Sequence, residues 1–348
     1  MKPTLPVFDG HNDLLLRLLD SDDPVTSFLH GRPDGHIDMP RARAGGLAGG
    51  FFAVYVPSPD AVLPDERGEP PYDPPLPAPL ALDTARATAL RMIALLLQLE
   101  RETRALAVCR SAAAIRGAMG EGQIAAILHM EGAEAIDADL DMLHVLHAAG
   151  LRSLGPVWSR PTIFGHGVPF RFPGSPDTGP GLTEVGERLV RACNALHILI
   201  DLSHLNEAGF WDVARISHAP LVATHSNVHA LSPSARNLTD RQLDAIRDSG
   251  GMVGLNFATA FLRPDGRTRG DTELEVMVRH LDHLVARLGE GGVGFGSDFD
   301  GAHIPDAIGD AAGLPALFDA LRQHGWDEAM LRRVAHENWL GLIERVIG

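Results

Sequence analysis

The chain has 348 residues, of which 45% are hydrophobic and 22% are charged. This composition excludes a disordered or fibrous chain, and the length suffices for one large domain or two smaller ones. The formal net charge of −15 makes nucleic acid and anionic membrane surfaces poor candidates for the main partner.

Short apolar runs with strand character alternate with longer helical patterns along the chain. Eight such runs are found, namely Val7–Phe8, Gly50–Val56, Ile124–Met130, Leu151–Leu154, His197–Leu202, Leu221–Thr224, Met252–Phe257 and Val293–Gly296. Apolar residues at helical spacing predict helices over Leu82–Leu106, Leu140–Ala149 and Thr183–Leu196. Thr239-x-x-Gln242 and Thr272-x-x-Glu275 are capping boxes that predict the start of two more helices.

Eight strand–helix units predict an α/β fold, a (β/α)8 TIM-type barrel with loop insertions, formed as a single domain by residues 1–348. A doubly wound open sheet would show the same alternation, but the count of eight favours the barrel.

Two segments interrupt the alternation of strands and helices. Pro57–Pro79 is expected to be an extended surface insertion. Trp158–Pro180 is either a plain connection or a functional loop, since it follows the fourth strand on the side where barrel active sites lie.

The cysteines and the apolar runs indicate where in the cell the protein is expected. Cys109 and Cys193 match no metal-binding or redox spacing, which favours a reducing compartment. No apolar segment follows Met1–Pro6, so we expect no signal peptide, and runs such as Met92–Leu97 are far shorter than a membrane span. We therefore expect a cytoplasmic protein with no membrane partner. The apolar face of Leu82–Leu106 either covers the barrel or forms a homodimer interface.

The first group of chemically active residues follows the first strand. His11 and Asp13 are two residues apart, so in an extended chain their side chains point to the same face. An imidazole beside a carboxylate at the carboxyl end of a strand is a natural pair of metal ligands. The alternative is an Asx turn beside a solvated histidine.

A carboxylate ends the third apolar run, at Glu131. A carboxylate in such apolar surroundings needs a partner, because an unpaired buried charge is costly. That partner is either a metal ion or an arginine. The neighbouring His129 is interpreted as a histidine packed in the core.

Two histidines follow consecutive strands, His204 after Ile198–Leu202 and His225 after Leu221–Thr224. One histidine after a strand is usually structural. Together with the three residues above, however, they supply three imidazoles and two carboxylates at four strand ends. This donor set suits a pair of borderline divalent metals with a carboxylate able to bridge them.

Asp298 ends the eighth strand within Gly294–Gly301, where flanking glycines let other groups approach closely. A turn-forming aspartate is the alternative interpretation. Beside a hydrolytic metal site, Asp298 is better interpreted as a proton shuttle. Asp300 is expected to cap the turn.

The order His-x-Asp, Glu, His, His, Asp resembles the amidohydrolase superfamily and, more narrowly, the renal (membrane) dipeptidase family, the M19 peptidases. The resemblance covers nearly the whole chain, from Gly10–Asp13 to His336–Trp339. Its motifs are Gly10-His11-Asn12-Asp13-Leu14, Glu131-Gly132, Asp201-Leu202-Ser203-His204, Thr224-His225-Ser226, Ala235-Arg236-Asn237 and Ser297-Asp298-Phe299-Asp300-Gly301.

The resemblance implies a centre of two divalent metal ions, zinc in this family, held by five side chains. His11 and Asp13 would bind one ion, and His204 and His225 would bind the other. Glu131 would bridge the two ions.

The resemblance also implies roles toward a substrate. Arg236 would bind the free carboxylate of a dipeptide, and Asp298 would transfer the proton. Better-known members carry a histidine after the fourth strand that is thought to polarise the scissile carbonyl, whereas Trp158 stands in its place here. Either His166 takes over this role, or Trp158 lines the pocket and the role is lost.

The sequence thus predicts a zinc-dependent dipeptidase in which a metal-bridging hydroxide attacks the peptide bond. Lys2 is the only lysine, so the carbamylated-lysine bridge of many superfamily relatives is excluded. Because of Trp158, another amide, lactone or ester hydrolase on the same binuclear site is the first alternative. A metal-free barrel acting as a binding protein is the second.

Overall fold

The predicted barrel is present in the computed structural model, which describes residues 4–59 and 68–348. Its nine strands within these residues are β1 (Val7–Asn12), β2 (Leu47–Tyr55), β3 (Leu106–Val108), β4 (Ile124–Glu131), β5 (Leu151–Gly155), β6 (Leu199–Ile200), β7 (Val222–Ala223), β8 (Met252–Leu255) and β9 (Val293–Phe295). Eight of them pair in parallel in the order β6-β5-β4-β2-β1-β9-β8-β7, with β3 added beside β4. A bridge between Asp201 and Val222 joins β6 to β7, which nearly closes the ring.

Helices follow most of the strands. The described residues form α1 (Leu14–Leu19), α2 (Pro24–His30), α3 (Met39–Gly45), α4 (Leu82–Glu102), α5 (Ala112–Gly120), α6 (Asp141–Ala149), α7 (Glu184–Ala195), α8 (Glu207–Ile216), α9 (Asp240–Asp248), α10 (Thr259–Leu262), α11 (Leu274–Leu288), α12 (Leu314–Gln323), α13 (Glu328–Arg332) and α14 (Asn338–Val346). Thr239 caps α9 in the predicted capping box with Gln242. This alternation confirms the (β/α)8 fold.

Two predicted helix boundaries are wrong. The helix expected over Leu82–Leu106 ends at Glu102, because Thr103 turns to extended backbone and the chain then pairs with β4 as strand β3. The capping box expected at Thr272 does not form. Its hydroxyl donates instead to the carbonyl of Arg269 at 2.6 Å, and α11 begins after Glu273.

The two irregular segments lie against each other. Residues 60–67 of the expected insertion Pro57–Pro79 are outside the described residues, and residues 68–79 contain no helix. Tyr72 pairs with Phe172 of the loop Trp158–Pro180 in an antiparallel bridge. The loop itself contains no helix and continues over the carboxyl end of the barrel to pair with Leu205.

Aromatic side chains fill the interior of the barrel below the site. Trp339 of α14 is fully buried, and its indole N–H donates to the carbonyl of Phe295 at 2.9 Å. Phe51 packs edge to face against both Trp339 and Phe8, with ring centroids 5.4 and 5.7 Å apart. The interior is therefore a packed core, and the polar residues lie at its carboxyl end.

Within the described chain, no helix combines the length and the apolar character needed to cross a membrane.

Three glycines surround one carbonyl group at the wall of the barrel mouth. A Cβ atom added to Gly10, Gly254 or Gly296 would overlap the carbonyl oxygen of Thr224. Strands β1 and β8 and the end of β9 therefore approach Thr224 through backbone contact, which only glycine permits at this distance.

Replacing Gly296 by alanine is expected to lower the free energy of unfolding by about 1–3 kcal/mol, because the added methyl group meets backbone that cannot move aside. Gly117→Ala is the matched control, since Gly117 lies in α5 and its added Cβ would meet no atom within 4 Å. Urea denaturation of the metal-free variants measures the difference. Wild-type stability of Gly296→Ala would contradict this account of the barrel wall.

Candidate metal centre and active site

The predicted metal ligands and the predicted proton shuttle meet at the carboxyl ends of the strands. His11 lies in β1, Asp13 follows β1, Glu131 ends β4, His204 and His225 follow β6 and β7, and Asp298 follows β9. In a parallel barrel all these ends lie on one face, so side chains distant in sequence come together. All but Asp298 are less than 9% exposed, and Asp298 lines the cavity described below.

One carboxylate oxygen lies at the centre of the cluster. Oε1 of Glu131 is 2.9 Å from Nε2 of His204 and 3.5 Å from Nε2 of His225. It is 3.6 Å from Nε2 of His11. The Nε2 atoms of His204 and His225 are themselves only 3.1 Å apart. Three imidazole nitrogens thus converge on the same carboxylate oxygen.

His11 and Asp13 form the other side of the cluster. Nε2 of His11 is 3.4 Å from Oδ2 of Asp13. Both ring nitrogens of His11 and Oδ1 of Asp13 are buried and have no hydrogen-bond partner among the described residues. Buried polar atoms are rarely left without a partner, so these atoms fit a role as ligands of a cation. Imidazoles and carboxylates together suit a divalent metal of the zinc type.

The protonation equilibria reflect this crowding of buried groups. Burial raises the pKa of Glu131 well above its ordinary value, although His11 opposes the rise. Burial lowers the pKa of His204 and His225 well below the ordinary histidine value. In His11, burial is outweighed by the charges of Glu131 and Asp13, which raise the pKa to about 10. The cluster thus favours added positive charge at its centre.

A second group of polar residues lies behind two of the histidines. Nδ1 of His225 is 2.9 Å from the hydroxyl of Thr224, which donates to Oδ2 of Asp201 at 2.6 Å. Nδ1 of His204 is 2.9 Å from the hydroxyl of Ser159. Histidines that bind metals commonly have the second ring nitrogen held in this way.

His129 lies next to the cluster, and only its Nδ1 has a hydrogen-bond partner among the described residues. Its Nδ1 is 2.8 Å from the hydroxyl of Ser153, and its Nε2 is 3.7 Å from Oδ2 of Asp201. Burial lowers the pKa of His129 to about 3, so the ring is neutral. His129 is completely buried, in agreement with its interpretation as a packed histidine.

Asp298 is held at the edge of the cluster in a conformation unusual for a residue other than glycine, with φ of 59°. Its N–H donates to the carbonyl of His11 at 3.0 Å, and its Oδ2 accepts from the amide of Asn256 at 2.8 Å. Burial and the charge of Asp13 raise its pKa, which His11 and Asn256 oppose. Strained backbone of this kind often occurs at functional sites.

Arg236 is a buried cation next to the histidines, with 3% of its surface exposed. Its guanidinium donates to the hydroxyl of Ser226 at 2.8 Å and to the carbonyl of His225 at 2.9 Å. Its Nε is buried and has no hydrogen-bond partner among the described residues. Burial lowers the pKa of Arg236 to about 10, so the group stays charged at neutral pH. No carboxylate pairs directly with it in the described ion pairs.

A cavity of about 310 Å³ opens onto the cluster, and one part of its wall is aromatic, formed by Tyr55, Trp158, Phe170 and Phe261. Trp158 is 5.1 Å from Tyr55, 5.3 Å from Phe170 and 5.8 Å from His204, measured between ring centroids. Phe170 in turn stacks on Phe261 at 5.9 Å. Trp158 thus lines the cavity, which was one of the two alternatives for this position.

Arg160 fixes the aromatic wall from behind. It is completely buried, donates to Glu134 at 2.7 Å and contacts the hydroxyl of Ser58. Its guanidinium carbon lies 5.4 Å from the ring centroid of Trp158 and 5.6 Å from that of Tyr55. Three loops are therefore joined beneath the wall by one cation.

One predicted site residue lies elsewhere. His166 does not line the cavity, and its Nδ1 is 3.4 Å from the carbonyl of Gly181. Phe170, further along the same loop, does line the cavity, so the loop brings this aromatic side chain and not His166 to the site. Sequence reasoning also missed Tyr55 and Asn256, since neither belongs to a motif that indicates its contact with the cluster.

Comparison with known proteins identifies the family of this chain. The family model of membrane dipeptidases, peptidase family M19, matches residues 1–347. A metallopeptidase from Rhodobacter sphaeroides, solved with a phosphinate mimic of the dipeptide L-Ala-D-Ala, is 60% identical, with a TM-score of 0.96 over 99% of each chain. A solved dipeptidase of family M19 is 61% identical, with a TM-score of 0.97 over 99% of each chain. An uncharacterised protein in the pqqA 5′ region of Klebsiella pneumoniae is 52% identical over 241 residues, or 69% of this chain and 89% of that protein.

The fold and its buried histidine–carboxylate cluster define a metal-dependent hydrolase. Within that class, the chain belongs to the membrane dipeptidase family, the M19 metallopeptidases.

Removing divalent metal with a chelator is expected to lower Tm by roughly 5–10 °C, because an ion that binds only the folded state stabilises that state. Adding Zn²⁺ should restore the original value in differential scanning calorimetry. Glu131→Gln is expected to lose most of this metal-dependent shift, whereas His166→Ala should keep it. An identical Tm with and without metal in the wild-type protein would argue against a metal centre.

Proposed function

We propose that this protein is a zinc-dependent dipeptidase with two metal ions at the carboxyl end of the barrel. The convergence of three imidazole nitrogens on Oε1 of Glu131 is the observation that carries the proposal. Two ions sharing one carboxylate would need such a central oxygen with histidines on both sides.

The assignment of ligands follows the two sides of the cluster. His11 and Asp13 would hold one ion, His204 and His225 the other, and Glu131 would bridge them. When bound, the metal pair supplies a water of lowered pKa and a Lewis acid for the substrate carbonyl. No lysine occurs at any strand end, so a glutamate is the bridge that this chain offers.

Asp298 is proposed to carry the proton. Asn256 holds its Oδ2, which leaves Oδ1 to accept the proton released as water adds to the peptide carbonyl. The same carboxyl group then gives this proton to the leaving amine as the C–N bond breaks. The hydrogen bond from its backbone to His11 keeps Asp298 beside the cluster during both transfers.

Arg236 is proposed to recognise the free carboxylate of the substrate. Ser226 and the His225 carbonyl fix the guanidinium, and its Nε still lacks a partner among the described residues. A buried cation without a carboxylate partner is suited to receive one from a ligand. A carboxylate held this close to the cluster would place the last peptide bond of a short peptide at the metals.

The N-terminal residue of the dipeptide is proposed to lie against Trp158. Arg236 belongs to the part of the mouth formed after β7, whereas Trp158 follows β5 and contacts Tyr55 of β2. A substrate anchored by its carboxylate would therefore extend toward the aromatic wall. A cavity of about 310 Å³ is at the small end of ligand pockets, which favours small side chains such as alanine.

We also propose a reducing compartment and a small-molecule substrate. Cys109 and Cys193 are both free and buried, which supports a reducing compartment such as the cytoplasm. The net charge of −15 supports a small-molecule substrate rather than nucleic acid.

Trp158 favours one alternative, an amide, lactone or ester hydrolase that uses the same centre, because an indole cannot polarise a carbonyl as a histidine would.

A substrate panel separates the dipeptidase from this alternative hydrolase. The zinc-loaded protein is expected to hydrolyse L-Ala-D-Ala with a kcat/KM at least about 100-fold above that for its C-terminal amide, because Arg236 loses its carboxylate partner. N-acyl amino acids without a free amine and simple lactones should be poorer still.

Variants link this selectivity to Arg236. Arg236→Met is expected to reduce the preference for the free carboxylate to less than about tenfold. Arg101→Met changes an arginine whose side chain is 70% exposed, and it should leave kinetics unchanged. Faster turnover of lactones or N-acyl amino acids than of any dipeptide would favour the alternative hydrolase.

A further inference from the structure

The hydroxyl of Thr224 lies between a buried carboxylate and an imidazole of the cluster. It is 2.6 Å from Oδ2 of Asp201 and 2.9 Å from Nδ1 of His225. All three groups are buried, with 0–3% of each residue exposed. The carbonyl of the same threonine is enclosed by the glycines at positions 10, 254 and 296, so its backbone has little room to move.

The direction of each hydrogen bond in this chain follows from the donors available. Asp201 accepts from the N–H and hydroxyl of Ser203 and from the N–H and hydroxyl of Thr224. The single hydroxyl hydrogen of Thr224 is used in its bond to Asp201. Toward His225, Thr224 therefore acts only as an acceptor, so Nδ1 of His225 carries the hydrogen.

The opposite nitrogen of the ring is thereby left with its lone pair. Nε2 of His225 lies 3.5 Å from Oε1 of Glu131 and 3.1 Å from Nε2 of His204, on the side where a metal would bind. An imidazole that binds a metal through Nε2 must present this tautomer. Thr224 also holds the plane of the ring, which fixes the direction of that lone pair.

The other two histidines of the cluster receive weaker support. Nδ1 of His204 meets the hydroxyl of Ser159, which makes no second side-chain hydrogen bond among the described residues, so the direction of that bond is open. Nδ1 of His11 has no hydrogen-bond partner within the described chain. Only His225 is supported by a hydroxyl whose own hydrogen is committed to a carboxylate.

We propose that Thr224 is a positioning residue, which transmits the charge of Asp201 to His225 and holds that ring in the metal-binding tautomer. This inference rests on the proposed metal centre. The hydroxyl of Thr224 thereby strengthens metal binding to a measurable extent, although it is not itself a ligand of the metal.

A purely structural role is the competing explanation, because Asp201 and Thr224 also join β6 to β7. Ser203→Ala provides the matched control for it. The hydroxyl of Ser203 donates to Oδ1 of Asp201 at 2.6 Å, the same length as the bond from Thr224, and accepts from the backbone N–H of His225 at 3.1 Å, but it does not contact an imidazole nitrogen. Ser203→Ala and Thr224→Val should therefore have similar costs in folding stability and different effects on metal binding.

The test is a chelator competition titration of Zn²⁺ and Co²⁺ with full-length metal-free protein, together with urea denaturation. Thr224→Val is expected to weaken metal affinity by about 10- to 100-fold, whereas Thr224→Ser should stay within about threefold of the wild type and Ser203→Ala should weaken affinity less than Thr224→Val does. The visible spectrum of bound Co²⁺ should change in Thr224→Val and not in Ser203→Ala. If the valine variant does not fold, Thr224→Ala removes the same hydroxyl with less crowding.

The outcomes separate this inference from the proposed function. Absence of metal binding by the wild-type protein would overturn the metal centre itself. Normal wild-type binding with an unchanged affinity in Thr224→Val, or an equal loss in Ser203→Ala, would overturn the role of Thr224 alone.

Discussion

The organisation of this protein depends on one buried carboxylate oxygen, Oε1 of Glu131, and the three imidazole nitrogens within 3.6 Å of it. A buried carboxylate is stable as an anion only when positive charge lies nearby. Here the neighbouring groups are histidines, and two of them are kept neutral by burial. The cluster therefore favours positive charge at its centre, and the surrounding structure holds its side chains in place.

A repeated device holds three of the functional residues. His204, His225 and Asp298 are each preceded by a serine or threonine whose N–H and hydroxyl both donate to a buried aspartate. Asp201 accepts from Ser203 and Thr224, and Asp9 accepts from Ser297 at 2.7 and 2.6 Å. Each aspartate fixes the backbone one residue before a functional side chain. The functional side chains therefore lie at strand ends whose backbone is fixed by hydrogen bonds to buried aspartates, and not in freely moving loops.

Much of the fold and site could be predicted because each depends on local patterns. Alternating apolar runs indicated the eight barrel strands, and the polar residues after them indicated His11, Glu131 and Asp298. Strand β3 could not be predicted, because its pairing with β4 is tertiary. The course of the loop that carries His166 could not be predicted either, because it depends on contacts such as Tyr72 with Phe172.

The central claim is that five side chains hold two metal ions on either side of Glu131. Anomalous diffraction at the zinc edge, on crystals grown from protein reconstituted with Zn²⁺, tests this most directly. The account predicts two peaks about 3.5–4 Å apart with the Glu131 carboxylate between them, one peak beside His11 and the other beside His204 and His225. A single peak, or a peak in the His129–Asp201 group away from Glu131, would contradict it.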